Sequence, residues 1–479
     1  MRILVALFFA LFTLNAESSV ESNAPQTPAD KISVLSSEPL EDELGENDVQ
    51  RFVNDGLLDK ESAKALVQSS EDEDSERPLV NIYKQFAEDS ADEVPSLLEN
   101  VYGHIGFFGK TNANKSVKEH FLLFSGSVGL VYDFKEMVFL DIGIYGASNF
   151  IGVKPRATRA KSNFIAHRAN IKYIARDEFQ NEVFAISAGR FQARRDWIRN
   201  FVQGVSVNVN YEWFGLWLDW VDEQAHAYRE YVSDFDTFKK RYNNHWLIAT
   251  GLGAVRLFGV DVQPYYYHLH KNLWAVGSKL GLDIDFANKK WRSVSTAHYV
   301  YARNKRDFGA FGGFDDVGGI AENPSNASQI LLLEQVFRWR VKEKAVSIGL
   351  GYVRVFGAPF ELANVGNMSR FEGYNTQGYG IMGAGGIDNG GNASNMFFAD
   401  TQSFYGFVGF KIDDFSMMFL GRNSQGKSID LSTNLNQHQY ALGARWRIVE
   451  GLYVGGVGAF MLENKVNKSY AKGFVEFRI

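Results

Sequence analysis

The sequence has no cysteine and only nine prolines among its 479 residues. The absence of cysteine excludes a disulfide framework, a thiolate zinc site and a cysteine nucleophile. Beyond the first residues there is no run of 18 apolar residues, which excludes transmembrane helices. No G-x-S-x-G motif occurs, and no glycine-rich loop carries the lysine that cradles a phosphate. We therefore expect no enzymatic activity, no cofactor and no metal site.

What is present divides near residue 98. Residues 17–97 hold 21 acidic and 6 basic residues, whereas residues 98–479 hold 43 basic and 35 acidic residues. The overall charge of -6 is thus an average over a leader at -15 and a body at +8. All but two of the 45 glycines and 63 of the 69 aromatic residues lie in the body. A body rich in glycine and aromatic residues and poor in proline predicts an all-β fold.

The first 16 residues have the pattern of a secretory signal peptide. Arg2 precedes an apolar stretch over residues 3–14, and Ala16 precedes a polar segment. A membrane anchor is disfavoured because the stretch is shorter than the roughly 20 residues that span a bilayer. We therefore predict a signal peptide over residues 1–16 and an exported protein.

Residues 17–97 predict a largely disordered acidic leader in the periplasm. Acidic runs at 41–43 and 71–74 are separated by little apolar material, a composition that favours disorder. Residues 48–68 carry a cluster of apolar side chains and could form short helices. The leader is either a solvated segment or an arm that tethers the body or binds a partner.

From residue 101 the dominant pattern is alternation of apolar and polar residues, as in Val138-Phe139-Leu140-Asp141-Ile142-Gly143-Ile144. A half-buried strand of a soluble sandwich would also give this alternation. We count eighteen such segments between 101–109 and 470–479, joined alternately by tight turns and longer loops. This layout predicts a transmembrane antiparallel β-barrel over residues 98–479. The short connection at His270 breaks the alternation, and Pro264 conflicts with the register of its strand.

Several motifs in the body resemble a known family. They are Ser187-Ala188-Gly189-Arg190-Phe191, Arg194-Arg195-Asp196-Trp197, Tyr211-Glu212-Trp213-Phe214 and the glycine-rich stretch 386–392. The body, roughly residues 98–479, is similar to the Hof-type outer-membrane proteins of Helicobacter, which themselves resemble the eighteen-stranded OprD-like porins. The resemblance implies an outer-membrane location and passive diffusion of small hydrophilic solutes. It also implies that the loop after the fifth strand, residues 192–201, folds into the lumen and narrows it.

Alternation assigns charged side chains to the watery interior of such a barrel, because a charge at mid-membrane on the lipid face costs roughly 2–4 kcal/mol. Basic side chains outnumber acidic ones on that face, which predicts a mild preference for anions or carboxylates. The predicted pore-lining residues are Arg168, Lys172, Lys279, Arg292, Arg338, Arg340, Arg445, Arg447, Asp141, Asp283, Asp285 and Glu334.

The loop at 192–201 supplies the candidate pore constriction. Arg194, Arg195 and Arg199 are concentrated there, and the in-turned loop of the resembled porins would direct them at anionic solutes. A solvated surface loop, or arginines held in salt bridges to the barrel wall, remain the alternatives for these residues.

Two other functions are weighed against a porin. An adhesin would use the long loops at 304–328 and 357–401, and a barrel enzyme of the lipase type would need a lipid-exposed serine beside a histidine. The expected partners are outer-membrane lipid, lipopolysaccharide and small hydrophilic solutes, without nucleic acid. The identity of the solute and the choice between monomer and trimer stay open.

Overall fold

The structure is a computed structural model. It describes residues 100–479 apart from 113–119, 153–162, 178–180, 212–213, 226, 229–230, 233, 236–245, 287–289, 305–326, 342–343, 365–394 and 428–433. The strands are β1 (Val101–Asn112), β2 (Phe121–Phe134), β3 (Val138–Gly152), β4 (Phe164–Arg176), β5 (Glu182–Arg195), β6 (Ile198–Tyr211), β7 (Phe214–Ala225), β8 (Ala227–Tyr228), β9 (Tyr231–Val232), β10 (Leu247–Leu252), β11 (Val255–Leu257), β12 (Val260–Leu269), β13 (Leu273–Phe286), β14 (Trp291–Asn304), β15 (Ala327–Val341), β16 (Lys344–Gly357), β17 (Gln402–Ile412), β18 (Phe415–Lys427), β19 (Asn434–Val449), β20 (Leu452–Glu463), β21 (Val466–Asn467) and β22 (Tyr470–Arg478). Two short 3₁₀ helices, Glu361–Asn364 and Asn395–Phe397, lie between β16 and β17.

Eighteen of these strands form one closed antiparallel barrel. The ring closes where β1 pairs with β22, in register from His104 opposite Arg478 to Asn112 opposite Tyr470. β10 continues as β11 after a break, β21 adds a short pairing to β20, and β8 with β9 makes a separate ribbon. The predicted eighteen-stranded barrel is therefore confirmed.

The two faces of the barrel differ as the alternation predicts. On β3 the side chains of Ile142 and Ile144 are 50% and 51% exposed, whereas that of Tyr145 is 1% exposed. Large apolar side chains recur in this way on the outer face of the other strands, where hydrocarbon replaces water. The opposite, inward face carries the polar and charged residues together with buried apolar side chains such as Tyr145 and Leu332. The membrane-facing surface is thus built from every second residue of each strand.

Tight turns gather at one end of the barrel and longer connections at the other. At the short-turn end, β17 and β18 are joined through Asp413 and β19 and β20 through Gly451, both at positive φ. At the long-loop end, the segments 305–326 and 365–394 lie outside the described residues. The short connection at His270 is confirmed as an exception, because β12 ends at Leu269 and β13 begins at Leu273.

One predicted loop is wrong. β5 continues to Arg195 and β6 begins at Ile198, so the segment 192–201 forms a hairpin with a two-residue turn. Sequence reasoning ended the fifth strand too early because the run of charged residues resembles a solvated loop.

Pro264 fits the barrel because the neighbouring strand is interrupted beside it. β10 pairs with β12 only as far as Gly251 opposite Tyr265, and β11 resumes at Val255 opposite Val262. Proline has no N–H to donate, so a ladder is best interrupted where proline lies. The freed backbone turns to the other neighbour, where the N–H of Gly253 donates to the carbonyl of Gly215 at 2.7 Å.

The predictions for the signal peptide, the disordered leader and the short helices at 48–68 concern residues 1–97, which lie outside the described residues. Among the residues that are described, no helix is long and apolar enough to cross a membrane.

Gly351 tests how tightly the inner wall is packed. A Cβ added there would lie 2.0 Å from the ring of Tyr405, whose hydroxyl donates to Glu334 at 2.7 Å. We expect Gly351→Ala to lower the free energy of unfolding by about 1–3 kcal/mol, because the tyrosine must shift from its partner. The matched control is Gly458→Ala, since nothing lies within 4 Å of a Cβ at that position.

Denaturant unfolding of both variants in lipid bilayers is the measurement. A Gly351→Ala protein as stable as the Gly458→Ala protein would contradict the packing described for this wall.

Candidate functional site

The candidate site is the inner wall of the barrel together with the chain segments folded against it. All twelve residues predicted to line a pore lie on the inward face of their strands, on β3 (Asp141), β4 (Arg168 and Lys172), β13 (Lys279, Asp283 and Asp285), β14 (Arg292), β15 (Glu334, Arg338 and Arg340) and β19 (Arg445 and Arg447). Their part in conduction stays a prediction.

One ion pair joins three strands next to the seam of the barrel. Nη1 of Arg168 lies 3.0 Å from a carboxylate oxygen of Asp141, and the hydroxyl of Tyr102 donates to the other oxygen at 2.5 Å. The guanidinium also lies over the ring of Tyr102, 4.6 Å from its centroid. Charge-assisted contacts of this kind fix both side chains, so this section of the wall carries paired charge.

A second ion pair lies nearer the short-turn end. Arg292 holds Asp283 with two parallel contacts, Nε at 2.8 Å and Nη2 at 2.5 Å, and Asp285 lies 4.0 Å from Nε. The bidentate contact is directional and strong. Arg292 also pairs directly across the strands with Arg338.

Basic residues form a row across the next strands. Arg340 lies opposite Ala345, which lies opposite Lys411; Lys411 lies opposite Ser416, which lies opposite Arg445. We call Arg340, Lys411 and Arg445 the basic row. Only the small side chains of Ala345 and Ser416 separate the three long cationic side chains of the row along this line across the strands.

The hairpin of β5 and β6 leaves the wall. β4 pairs with β5 from Arg176 to Ala169, where Arg190 lies opposite, but β5 continues to Arg195 while paired only with β6. Gly189 precedes this departure with a φ of +116°, and a Cβ there would meet the carbonyl oxygen of the facing strand at 2.2 Å. Only glycine accepts both conditions, so this glycine of the Ser-Ala-Gly-Arg-Phe motif marks where the hairpin departs.

The tip of the hairpin contacts β12 and β13, which follow β7 and β10 around the barrel. The carboxylate of Asp196 lies 3.4 Å from Nζ of Lys279 on β13. Trp197 is fully buried, and its indole N–H donates to the hydroxyl of Tyr265 on β12 at 3.2 Å. A hairpin that starts between β4 and β7 and reaches β12 and β13 must cross part of the lumen.

Two other connections at the long-loop end also fold inward. The described ends of the β16–β17 connection bury Phe360, Leu362 and Phe397, and Trp197 packs on both phenylalanine rings at centroid distances of 5.0 and 6.1 Å. The ribbon of β8 and β9 buries Val232 in the cluster that contains Tyr145. The lumen at this end is therefore narrowed by three segments of the chain.

The predicted constriction arginines are distributed differently from expectation. Arg194 and Arg195 end β5 and Arg199 belongs to β6, so they do not lie on a long loop. The side chains of Arg194 and Arg199 lie outside what the structure describes. Arg195 contacts the wall: its guanidinium lies 2.8 Å from Asp219 and 4.4 Å from the ring centroid of Trp217. For Arg195 the contacts match the alternative of an arginine held by a salt bridge.

Sequence reasoning missed the partners of the hairpin tip. Tyr265 and His298 lie on strands 68 and about 100 residues away from Trp197, and no local pattern distinguishes them from other inward residues. The only available signal was a tryptophan within a charged stretch. Among the described residues, no group of three histidine or acidic side chains is placed to hold a metal ion.

Comparison with known proteins agrees with this architecture. A family model described as "Putative outer membrane protein" matches residues 97–453. No curated protein sequence matches the chain.

Solved structures match over most of the chain. OccAB4 of Acinetobacter baumannii is 10% identical with a TM-score of 0.55, covering 80% of this chain and 99% of that one. OccK8 (OprE) of Pseudomonas aeruginosa is 11% identical with a TM-score of 0.56, covering 79% and 98%. A BenF-like porin of Pseudomonas fluorescens Pf-5 is 9% identical with a TM-score of 0.57, covering 79% and 97%. At such identities the likeness shows the fold, and it confirms the resemblance inferred from the motifs.

The ion pairs of the wall should contribute unequally to the free energy of unfolding. Asp141 has a side chain 17% exposed with two close partners, whereas that of Asp285 is 47% exposed and 4.0 Å from its nearest cation. We expect Asp141→Asn to lower the free energy of unfolding by about 2 kcal/mol, because it leaves Arg168 without its counter-charge. Asp285→Asn should cost less than about 0.5 kcal/mol, because water screens that contact.

The two variants are compared by denaturant titration of the folded protein in bilayers. Equal losses of stability would show that burial does not determine how much these pairs contribute.

Proposed function

The chain belongs to the family of outer membrane proteins whose model matches residues 97–453, and from that premise we propose that it is a porin. In this proposal it lets small hydrophilic solutes diffuse passively across the outer membrane, with a mild preference for anions and carboxylates. The acidic leader, residues 17–97, would lie in the periplasm. No enzymatic step is proposed, in keeping with the porin found among the structural neighbours.

The observation that carries the proposal is a closed barrel with ionised side chains on its inward face. Arg168 and Arg292 donate hydrogen bonds to the carboxylates of Asp141 and Asp283 on that face. Ionised groups are stable there when water fills the interior, whereas hydrocarbon would leave them unsolvated. A ring of eighteen strands leaves an interior wide enough for an aqueous path that inward segments can narrow.

The basic row supports the preference for anions. The acids Asp141, Asp219 and Asp283 have arginine partners within 3.0 Å, so their field is largely cancelled locally. On β15 to β19 the row of three cations adds a positive potential to one side of the path. Such a potential raises the local concentration of anions and lowers that of cations.

The arginines of the hairpin are part of the proposed selectivity. Arg194, Arg195 and Arg199 flank the turn of the hairpin that crosses the lumen, and Arg195 is already bound to Asp219. We infer that the remaining positive charge of this tip acts at the narrowest part of the path, where selectivity is set.

Planar-bilayer recording tests the proposal. The purified full-length chain should give discrete conductance steps. In a salt gradient, the sign of the reversal potential should indicate a higher permeability to anions than to cations. Replacing the basic row, as Arg340→Gln with Lys411→Gln and Arg445→Gln, should move the reversal potential toward cations, because the positive potential of the wall is lost.

The matched control removes the same charge away from the wall. Lys135, Lys271 and Lys465 lie exposed in turns, and their replacement by glutamine should leave the reversal potential nearly unchanged. Silent bilayers with correctly folded protein would rule out the channel. Equal shifts in both triple variants would rule out the basic row as the source of selectivity.

A further inference from the structure

Both side chains of the contact between Asp196 and Lys279 are withdrawn from water. Their side chains are 9% and 3% exposed, and the carboxylate oxygen lies 3.4 Å from the ammonium nitrogen. One partner lies on the hairpin tip and the other on β13, which are separated by more than eighty residues of sequence. Low exposure removes the solvent screening that weakens surface pairs, so separating this pair is costly.

A hydrogen-bonded chain lies beside the ion pair. The indole N–H of Trp197 donates to the hydroxyl of Tyr265, and the hydroxyl oxygen lies 3.2 Å from Nδ1 of His298. The hydroxyl of Tyr265 therefore links Trp197 on the hairpin tip to His298 on β14. His298 is fully buried, and its Nε2 has no hydrogen-bond partner among the described residues.

These contacts hold the tip of the hairpin against wall strands that lie beyond β7 and β10. Beyond Arg190 the hairpin has no backbone pairing to β4, so on that side only side chains can fix where it lies. Three wall strands supply them: β12 with Tyr265, β13 with Lys279 and β14 with His298. Trp197 then supports Phe360 and Phe397, so the position of the tip also determines where the β16–β17 segments pack.

We propose that Lys279, Tyr265 and His298 are positioning residues that latch the tip of the β5–β6 hairpin to β12, β13 and β14 and thereby set the width of the solute path. The latch rests on the proposed channel function, and it explains which residues determine the width of the channel. Its partners on the tip are Asp196 and Trp197. Without the latch, the unpaired part of the hairpin would move toward its own side of the barrel and widen the path.

Single-channel recording of latch variants is the first test. Lys279→Met removes the charge and keeps a long side chain, and we expect about a twofold rise in unit conductance with greater open-channel noise. Lys279→Arg retains a cation able to reach Asp196 and should stay close to the wild-type conductance. The matched control is Lys468→Met, which breaks a different ion pair, Lys468 with Glu463, in the chain between β20 and β22 and away from the hairpin tip.

Thiol labelling provides an independent readout of the same movement. The chain contains no cysteine, so Ala193→Cys places a single thiol in the hairpin, where the native alanine is buried. A membrane-impermeant thiol reagent should label it about ten times faster in the Lys279→Met background than in the wild-type background, because release of the tip exposes it to lumen water.

The outcomes separate the latch from the channel. If the wild-type chain does not conduct, the proposed function fails, whereas the labelling experiment still decides whether Lys279 holds the tip. If the wild-type chain conducts and Lys279→Met has unchanged or lower conductance, or unchanged labelling, the latch is overturned. A rise in conductance equal to that of Lys468→Met would also overturn it.

Discussion

The closing contact between β1 and β22 is the constraint on which the rest of the structure depends. In hydrocarbon every backbone N–H and C=O must be satisfied within the protein, so an open sheet edge is not tolerated. The register from His104 opposite Arg478 to Asn112 opposite Tyr470 removes the last two edges of the sheet. Closure also divides the side chains into an apolar outer face and an inner face that can hold charge.

The charged inner face follows from this division, and its arrangement suggests how solutes are filtered. Near β3, β4, β7 and β13 acidic side chains are matched by arginines, as with Asp141 and Arg168. From β15 to β19 the register instead aligns three cations in the basic row. The hairpin of β5 and β6 brings Asp196 to Lys279 on β13. The ion pairs hold the side chains of the wall in place, and the basic row adds a positive potential to the wall.

The sequence predicted the barrel well and the interior of the lumen poorly, for physical reasons. Alternation is a local property, so the eighteen strands and the inward facing of residues such as Arg338 could be read directly. The expected conflict at Pro264 is wrong, because the interruption between β10 and β11 that accommodates this proline lies on another strand, outside any local pattern. The hairpin was mistaken for a loop because its tip is held by Tyr265 and Lys279, contacts that no local pattern encodes.

Liposome swelling tests most directly the claim that the barrel encloses a narrow, anion-favouring aqueous path. Vesicles containing the folded full-length chain are placed in isotonic solutions of a small carboxylate or of an amine of equal size. The account predicts swelling in both solutions, faster with the carboxylate, and a loss of swelling as solutes grow larger. Vesicles that swell in neither solution, with the barrel correctly folded, would contradict it.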